Sequence, residues 1–124
     1  DIWVKLLGNA ALNPISALTR ANMREILEGP ETRALVRRVM EEIDAVARAL
    51  GIQIEISIDQ RIAGAEKVGE HKTSMLQDVE AGRPLEIEAL AGVIIELADK
   101  LGVPVPSTRA VYACTKLLGQ KTAG

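Results

Sequence analysis

Two aromatic side chains, Trp3 and Tyr112, serve a chain of 124 residues that has no phenylalanine. The core of such a chain must be assembled from Leu, Ile, Val, Ala and Met, a composition that favours helices packed on helices. Apolar residues make up 48% and charged residues 26%, the balance of a globular chain and not of a disordered one. At this length a single domain, residues 1–124, buries about two-thirds of its unfolded surface and needs no covalent staples.

Several functions are excluded by the same counts. The formal net charge is −2 and basic residues are spread along the chain. Nucleic acid would need a basic face and aromatic platforms for stacking, and both are missing. Cys114 is the one cysteine, which excludes an internal disulfide framework and a Cys-rich zinc site. His71 is the one histidine, so no multi-His metal site is expected. The longest apolar stretch, Leu90 to Ala98, is too short to span a membrane, and no basic-plus-apolar leader opens the chain. A reducing, cytoplasmic setting is the expectation. An apolar helical pattern begins at Ile2, directly after Asp1, so the chain reads as a piece cut from a longer protein.

Periodicity divides the chain into helices. Ile2, Leu6, Leu7, Ala10 and Ala11 form one stripe in a segment running to about Met23. Asn13-Pro14 interrupts it, and a second helix is predicted to start there, with a kink in one long helix as the alternative. After a turn at Gly29-Pro30, Glu31 to Leu50 repeats apolar residues at three and four and ends on Gly51. Ile52 to Ile58 alternates like a strand, but it has no partner strand and reads as an extended connector into a helix from Asp59 to Val68. Gly69 to Thr73 is polar loop. Ser74 to Ala81 reads as a short helix with a capping box of Ser74 and Gln77. Pro84 is expected to open a long, central helix through Leu101, and Ser107 to Leu118 forms the last helix.

Lys5, Asn9 and Asn13 lie four residues apart. Each step drifts about 40° around a helix, so the three share one face over about 12 Å. A solvated polar face has this pattern, and so does a site that holds a polar ligand between a cation and two amides. A second polar cluster is Ser74-Met75-Leu76-Gln77-Asp78, followed by Gly82-Arg83-Pro84-Leu85-Glu86-Ile87. Taken singly, Ser74 reads as a cap, Glu86 as a first-turn acid, Asp78 as a surface charge, and Met75 and Leu76 as core.

Together the clusters are distinctive. Lys-x-x-x-Asn-x-x-x-Asn-Pro from Lys5 to Pro14, Ser-Met-x-Gln-Asp from Ser74 to Asp78, and Gly-Arg-x-x-Glu-Ile ending at Glu86 and Ile87 resemble the C-terminal domain of the ketopantoate reductase (2-dehydropantoate 2-reductase) family. The resemblance covers nearly the whole chain, including Gly-Val-Pro-Val-Pro before the last helix. It implies an all-α bundle of the 6-phosphogluconate dehydrogenase C-terminal-like type, following an N-terminal Rossmann domain that this chain lacks. NADPH and a 2-oxo acid would bind between the two, and 2-dehydropantoate would be reduced to (R)-pantoate on the route to pantothenate and coenzyme A.

Carried over by motif, Lys5 would be the general acid, and Asn9, Asn13 and Ser74 would bind the substrate. Glu86 would lie near Lys5 and the cofactor, holding the charge on a half-buried lysine. A further substrate-binding Asn is expected after Asn13-Pro14, and Asn22 is the nearest candidate. His71 stands where a small amide would be sought and reads as a loop histidine. No G-x-G-x-x-G fingerprint or βαβ unit is present, so this chain alone is expected to be inactive. A homodimer is the expected assembly of the intact enzyme, and self-association that of the chain alone. Two alternatives stay open: a paralogue acting on another 2-oxo acid, and a helical dimerisation module that has lost the chemistry.

Overall fold

A computed structural model describes residues 1–122. Its elements are α1 (Ile2–Thr19), α2 (Met23–Glu28), α3 (Pro30–Ala49), α4 (Ile58–Val68), α5 (Ser74–Ala81), a π turn (Glu88–Gly92), α6 (Val93–Leu101) and α7 (Pro106–Thr122). No strand occurs among the described residues, and the fold is all-α.

The central element is α1. It packs against α3, α4, α5, α7 and the π turn, and it buries Leu7, Leu12 and Ile15 together with Ala10, Ala11 and Ala17, whose small side chains admit close neighbours. Burying each large side chain contributes about 1.5–3 kcal/mol. This packing explains why α1 is one helix, against the expectation of a break at Asn13-Pro14. Pro14 removes the N–H that would reach the carbonyl of Ala10, yet it is itself buried and neighbours on several sides hold the helix through it. The chain then turns at Arg20, whose φ of 64° is left-handed. The short helix α2, not foreseen, follows with a capping box of Asn22 and Glu25.

The helix predicted over Glu31–Leu50 is α3, shifted by one residue to begin at Pro30. Val36, Val39, Met40, Ile43, Val46 and Ala47 form its buried stripe. The connector foreseen over Ile52–Ile58 is residues 52–57, irregular with a bend at Glu55 and Ile56 and with Ile54 buried in the core, while Ile58 already opens α4. On α3, Glu42 reaches the start of α7. Its Oε2 accepts the Ser107 N–H at 3.0 Å, and its Oε1 accepts the Thr108 N–H and hydroxyl, each at 2.7 Å. Pro106 is the first residue of α7, so these are the next two amides, which have no partner inside the helix.

Two further expectations are corrected. The N-cap of α5 is Thr73, whose hydroxyl accepts the Leu76 N–H at 3.2 Å; Ser74 is the first helical residue. Gln77 does not close a capping box but donates its amide to the Lys72 carbonyl at 3.1 Å. Pro84 does not open a helix either. Residues 83–86 are irregular, and helical structure starts at Glu88 with a π turn, in which the Gly92 N–H reaches back five residues to the Ile87 carbonyl at 3.0 Å. A Cβ on Gly92 would stand 2.5 Å from Glu88 Oε1, so a side chain there would displace the Glu88 carboxylate. The continuing helix α6 is not central: Ile94 and Ala98 are buried, but Val93 and Leu101 are 40% and 37% exposed. A small cluster of Ala17, Met75, Val79, Ile87 and Ala91 fastens α1, α5 and the π turn to one another.

Candidate active site

Lys5 and Asn9 lie where the face of α1 meets the π turn. They line a cleft of about 280 Å³ whose walls are apolar: Ile2 and Leu6 on one side, Ala89, Leu90 and Val93 on the other. One helical turn further along α1, Asn13 Nδ2 donates to Ser74 Oγ at 3.4 Å across 61 residues of sequence. That bond is at the long limit for its type, and a ligand could displace it at little cost. The stripe of Lys5, Asn9 and Asn13 thus meets Ser74, as the two motifs require of a single site.

Around Ser74, the other motif residues have structural work. Met75 and Leu76 are buried. Asp78 Oδ1 accepts from Arg83 Nε at 2.9 Å, while the Arg83 N–H bonds the Asp78 carbonyl at 2.8 Å, closing the loop after α5. Gly82, left-handed at φ 70°, makes that reversal. Ser74 is what remains: an exposed hydroxyl whose hydrogen-bonding partner among the described side chains is Asn13.

Lys5 and Glu86 are placed differently from expectation. Lys5 is exposed, not half-buried. Glu86 is exposed in the irregular segment before the π turn and not in a first helical turn. No ion pair joins them among the described residues. Asn22 serves the backbone: its Oδ1 accepts the Glu25 N–H at 2.9 Å, leaving its NH2 group for a ligand. His71 is exposed in the loop before α5, as foreseen.

Two charged contacts involve sequence neighbours of the cleft residues. The half-buried Arg61 guanidinium of α4 lies on the bare backbone of Gly8, between Lys5 and Asn9 in sequence, where any Cβ would overlap it. Burial lowers its pKa from the usual arginine value. Near the π turn, the Tyr112 hydroxyl donates to both oxygens of Glu88 at 2.9 and 2.7 Å. Hydrogen bonding to that carboxylate raises the phenol pKa, against the opposing pull of Lys116, which stands 5.8 Å from the ring centroid. Sequence reasoning passed over Ser16, which continues the Lys5 face eleven residues on and is fully buried; extending the stripe would have found it.

A larger cleft, of about 370 Å³, lies between the end of α3 and the connector. It holds no residue of either motif, and most of its charges are already matched, Arg48 with Asp44 at 2.7 Å and Asp59 with Arg37, which leaves Glu55 as its one lining charge without an ion pair among the described residues. Chemistry therefore favours the smaller cleft. Among the described residues no cluster of three metal-ligating side chains occurs, and no helix is long and apolar enough to cross a membrane.

Comparison with known proteins identifies the family and the fold. The family model described as ketopantoate reductase PanE/ApbA C terminal matches residues 1–119. A 2-dehydropantoate 2-reductase of Mesorhizobium japonicum is 49% identical over 118 residues, covering 95% of this chain and 36% of that protein, so the chain spans little more than a third of its relative. The crystal structure of a PanE/ApbA family ketopantoate reductase from Ralstonia eutropha superposes with a TM-score of 0.90 at 34% identity, covering 98% of this chain and 41% of that one. A D-mandelate dehydrogenase in complex with NADH and anilino(oxo)acetate shares the fold, with a TM-score of 0.89 at 23% identity over 99% of this chain and 52% of that one. With its two motifs joined by the Asn13–Ser74 bond and the family model spanning all but its last residues, the chain belongs to the ketopantoate reductase family and matches that family's C-terminal domain.

Proposed function

We propose that this chain is the substrate-side domain of an NADPH-dependent 2-dehydropantoate 2-reductase, working with a dinucleotide-binding domain outside it. The observation that carries the reading is the meeting of Lys5, Asn9, Asn13 and Ser74 along one face of α1, beside an apolar cleft. The described residues contain no strand and no Gly-rich strand-to-helix turn, so they do not fit a dinucleotide by themselves. When bound by the partner domain, the reduced nicotinamide supplies the hydride.

The chain's own residues do the rest. Reduction builds negative charge on the carbonyl oxygen of the 2-oxo acid, and a proton must be within hydrogen-bond reach. Lys5, at the rim of the cleft, donates that proton from Nζ. Asn9 and Asn13 orient the substrate through amide groups that both donate and accept. Ser74 gives up its long bond to Asn13 and holds the polar end of the acid, with the Asn22 NH2 as a further donor. Apolar walls of Leu6, Leu90 and Val93 suit the alkyl portion. On this reading Glu86, exposed and without an ion pair among the described residues, meets the cofactor and comes near Lys5 once the cleft is covered. The intact enzyme is a cytoplasmic homodimer on this reading, and the chain alone is inactive.

The test is NADPH oxidation by the intact protein, offered 2-dehydropantoate and a panel of other 2-oxo acids. Turnover with 2-dehydropantoate should fall by about a hundredfold or more in Lys5→Ala, the usual weight of a general acid. Glu86→Ala should give a smaller loss. Turnover with a different acid alone would keep the mechanism and move the substrate. Normal turnover in Lys5→Ala would overturn the assignment.

A further inference from the structure

Beneath the candidate site runs a chain of hydrogen bonds in which every proton has one direction. The Leu76 N–H is accepted by Thr73 Oγ1 at 3.2 Å, the Thr73 hydroxyl donates to Ser16 Oγ at 3.0 Å, and the Ser16 hydroxyl donates to the Ala21 carbonyl at 2.6 Å. Each hydroxyl has one proton, and each is committed. Ser16 is fully buried and Thr73 nearly so, so water does not compete for these partners.

Where the links fall in sequence gives the network its meaning. Thr73 immediately precedes Ser74, Ala21 immediately precedes Asn22, and Ser16 lies one helical turn beyond Asn13 on α1. Three segments, two of them close in sequence and the third 57 residues away, each carrying a proposed substrate ligand, are thus fastened within three residues of those ligands. The apolar cluster of Ala17, Met75 and Val79 brings α5 against α1 but sets no polar register between them. The long Asn13–Ser74 bond cannot set it either.

We propose that Ser16 and Thr73 are positioning residues that fix Ser74 and Asn22 relative to Asn13, and so determine affinity for the 2-oxo acid without touching it. This rests on the function proposed above. A merely structural hydroxyl pair would alter stability and leave the kinetic split unmoved, so the test reads that split.

In the intact protein, Thr73→Val removes donor and acceptor at nearly constant shape, Ser16→Ala breaks the same chain in the middle, and Thr73→Ser keeps both bonds. The KM for the 2-oxo acid should rise about tenfold in Thr73→Val and Ser16→Ala, with kcat within about threefold and the KM for NADPH unchanged. Thr73→Ser should restore the KM. Amide exchange over residues 73–78 should accelerate in Thr73→Val, because the Leu76 N–H loses its acceptor, while the rest of the molecule keeps its protection. An unchanged KM for the acid in a folded, active Thr73→Val protein would overturn the proposal, and so would equal rises in both KM values. Failure of the underlying function is distinguishable, since it appears as absent turnover in the unsubstituted protein. Exchange then decides alone: unaltered protection over residues 73–78 in Thr73→Val overturns the device.

Discussion

Replacing Glu42 by alanine tests how α7 is held. In the folded chain this carboxylate accepts two backbone N–H groups and one hydroxyl at the start of α7, at 2.7 to 3.0 Å. Bonds to a charged acceptor are worth about 1.5–3 kcal/mol each where water is excluded. Glu42 and Ser107 are only half-buried, so water can replace part of the loss, whereas Thr108 is buried. About 1 kcal/mol for each of three bonds gives a cost of about 3 kcal/mol for Glu42→Ala. Glu42→Gln separates the contributions. Its single carbonyl oxygen can keep both Thr108 bonds, while its NH2 faces the Ser107 N–H as donor against donor, so about half the loss is expected. Urea unfolding of the three proteins gives the comparison, and at this chain length the alanine variant should melt about 10 °C lower. Thr108→Ala should cost about 1 kcal/mol and add little on the Glu42→Ala background. A cost below about 1 kcal/mol for Glu42→Ala would refute the reasoning, as would a glutamine variant no better than alanine.

Two other outcomes follow from the contacts of Gly8 and Tyr112. Gly8→Ala gains about 1 kcal/mol of helix propensity but displaces the Arg61 guanidinium. It should therefore stabilise the chain clearly in an Arg61→Ala background and little or not at all in the native one; equal effects in a thermal double-mutant cycle would show that Arg61 does not rest on Gly8. Tyr112 should ionise above the ordinary phenol value of about 10. Because the folded pKa is the higher one, the stabilising contribution is complete below the unfolded value and disappears as pH rises through the folded value. Absorbance titration against Tyr112→Phe should show the raised midpoint, and Glu88→Gln should bring it back toward the ordinary range.

Helices with local signals were legible: the α3 stripe from Val36 to Ala47, and the connector at Ile52–Ile58, which alternates without a partner strand. So was the face carrying Lys5, Asn9 and Asn13, because helix geometry alone puts residues four apart side by side. What escaped depends on distant partners. Thr73 and Ser74 are both competent caps, and local sequence gives no reason to prefer one. Thr73 caps α5 in the fold, where it also reaches the buried Ser16 from a separation of 57 residues. Pro14 reads as a break until neighbours on several sides are in place. Glu42 reads as a surface acid until α7 arrives 65 residues later. The cap of α2 is a different case, since Asn22 and Glu25 were in plain sight.

The π turn gives the cleft an unusual kind of inheritance. A turn spanning five residues holds one residue more than an ordinary helix would, and that surplus sets the angular frame in which Ala89 and Leu90 stand relative to Val93. Deleting a single residue between Glu88 and Gly92 would let the turn close as ordinary helix at about 3.6 residues per turn, with the flanking chain keeping its direction and one position of the wall lost. The shape of the wall is written in a residue count as much as in residue identities: point substitutions retexture it, whereas a deletion within the turn removes one of its positions.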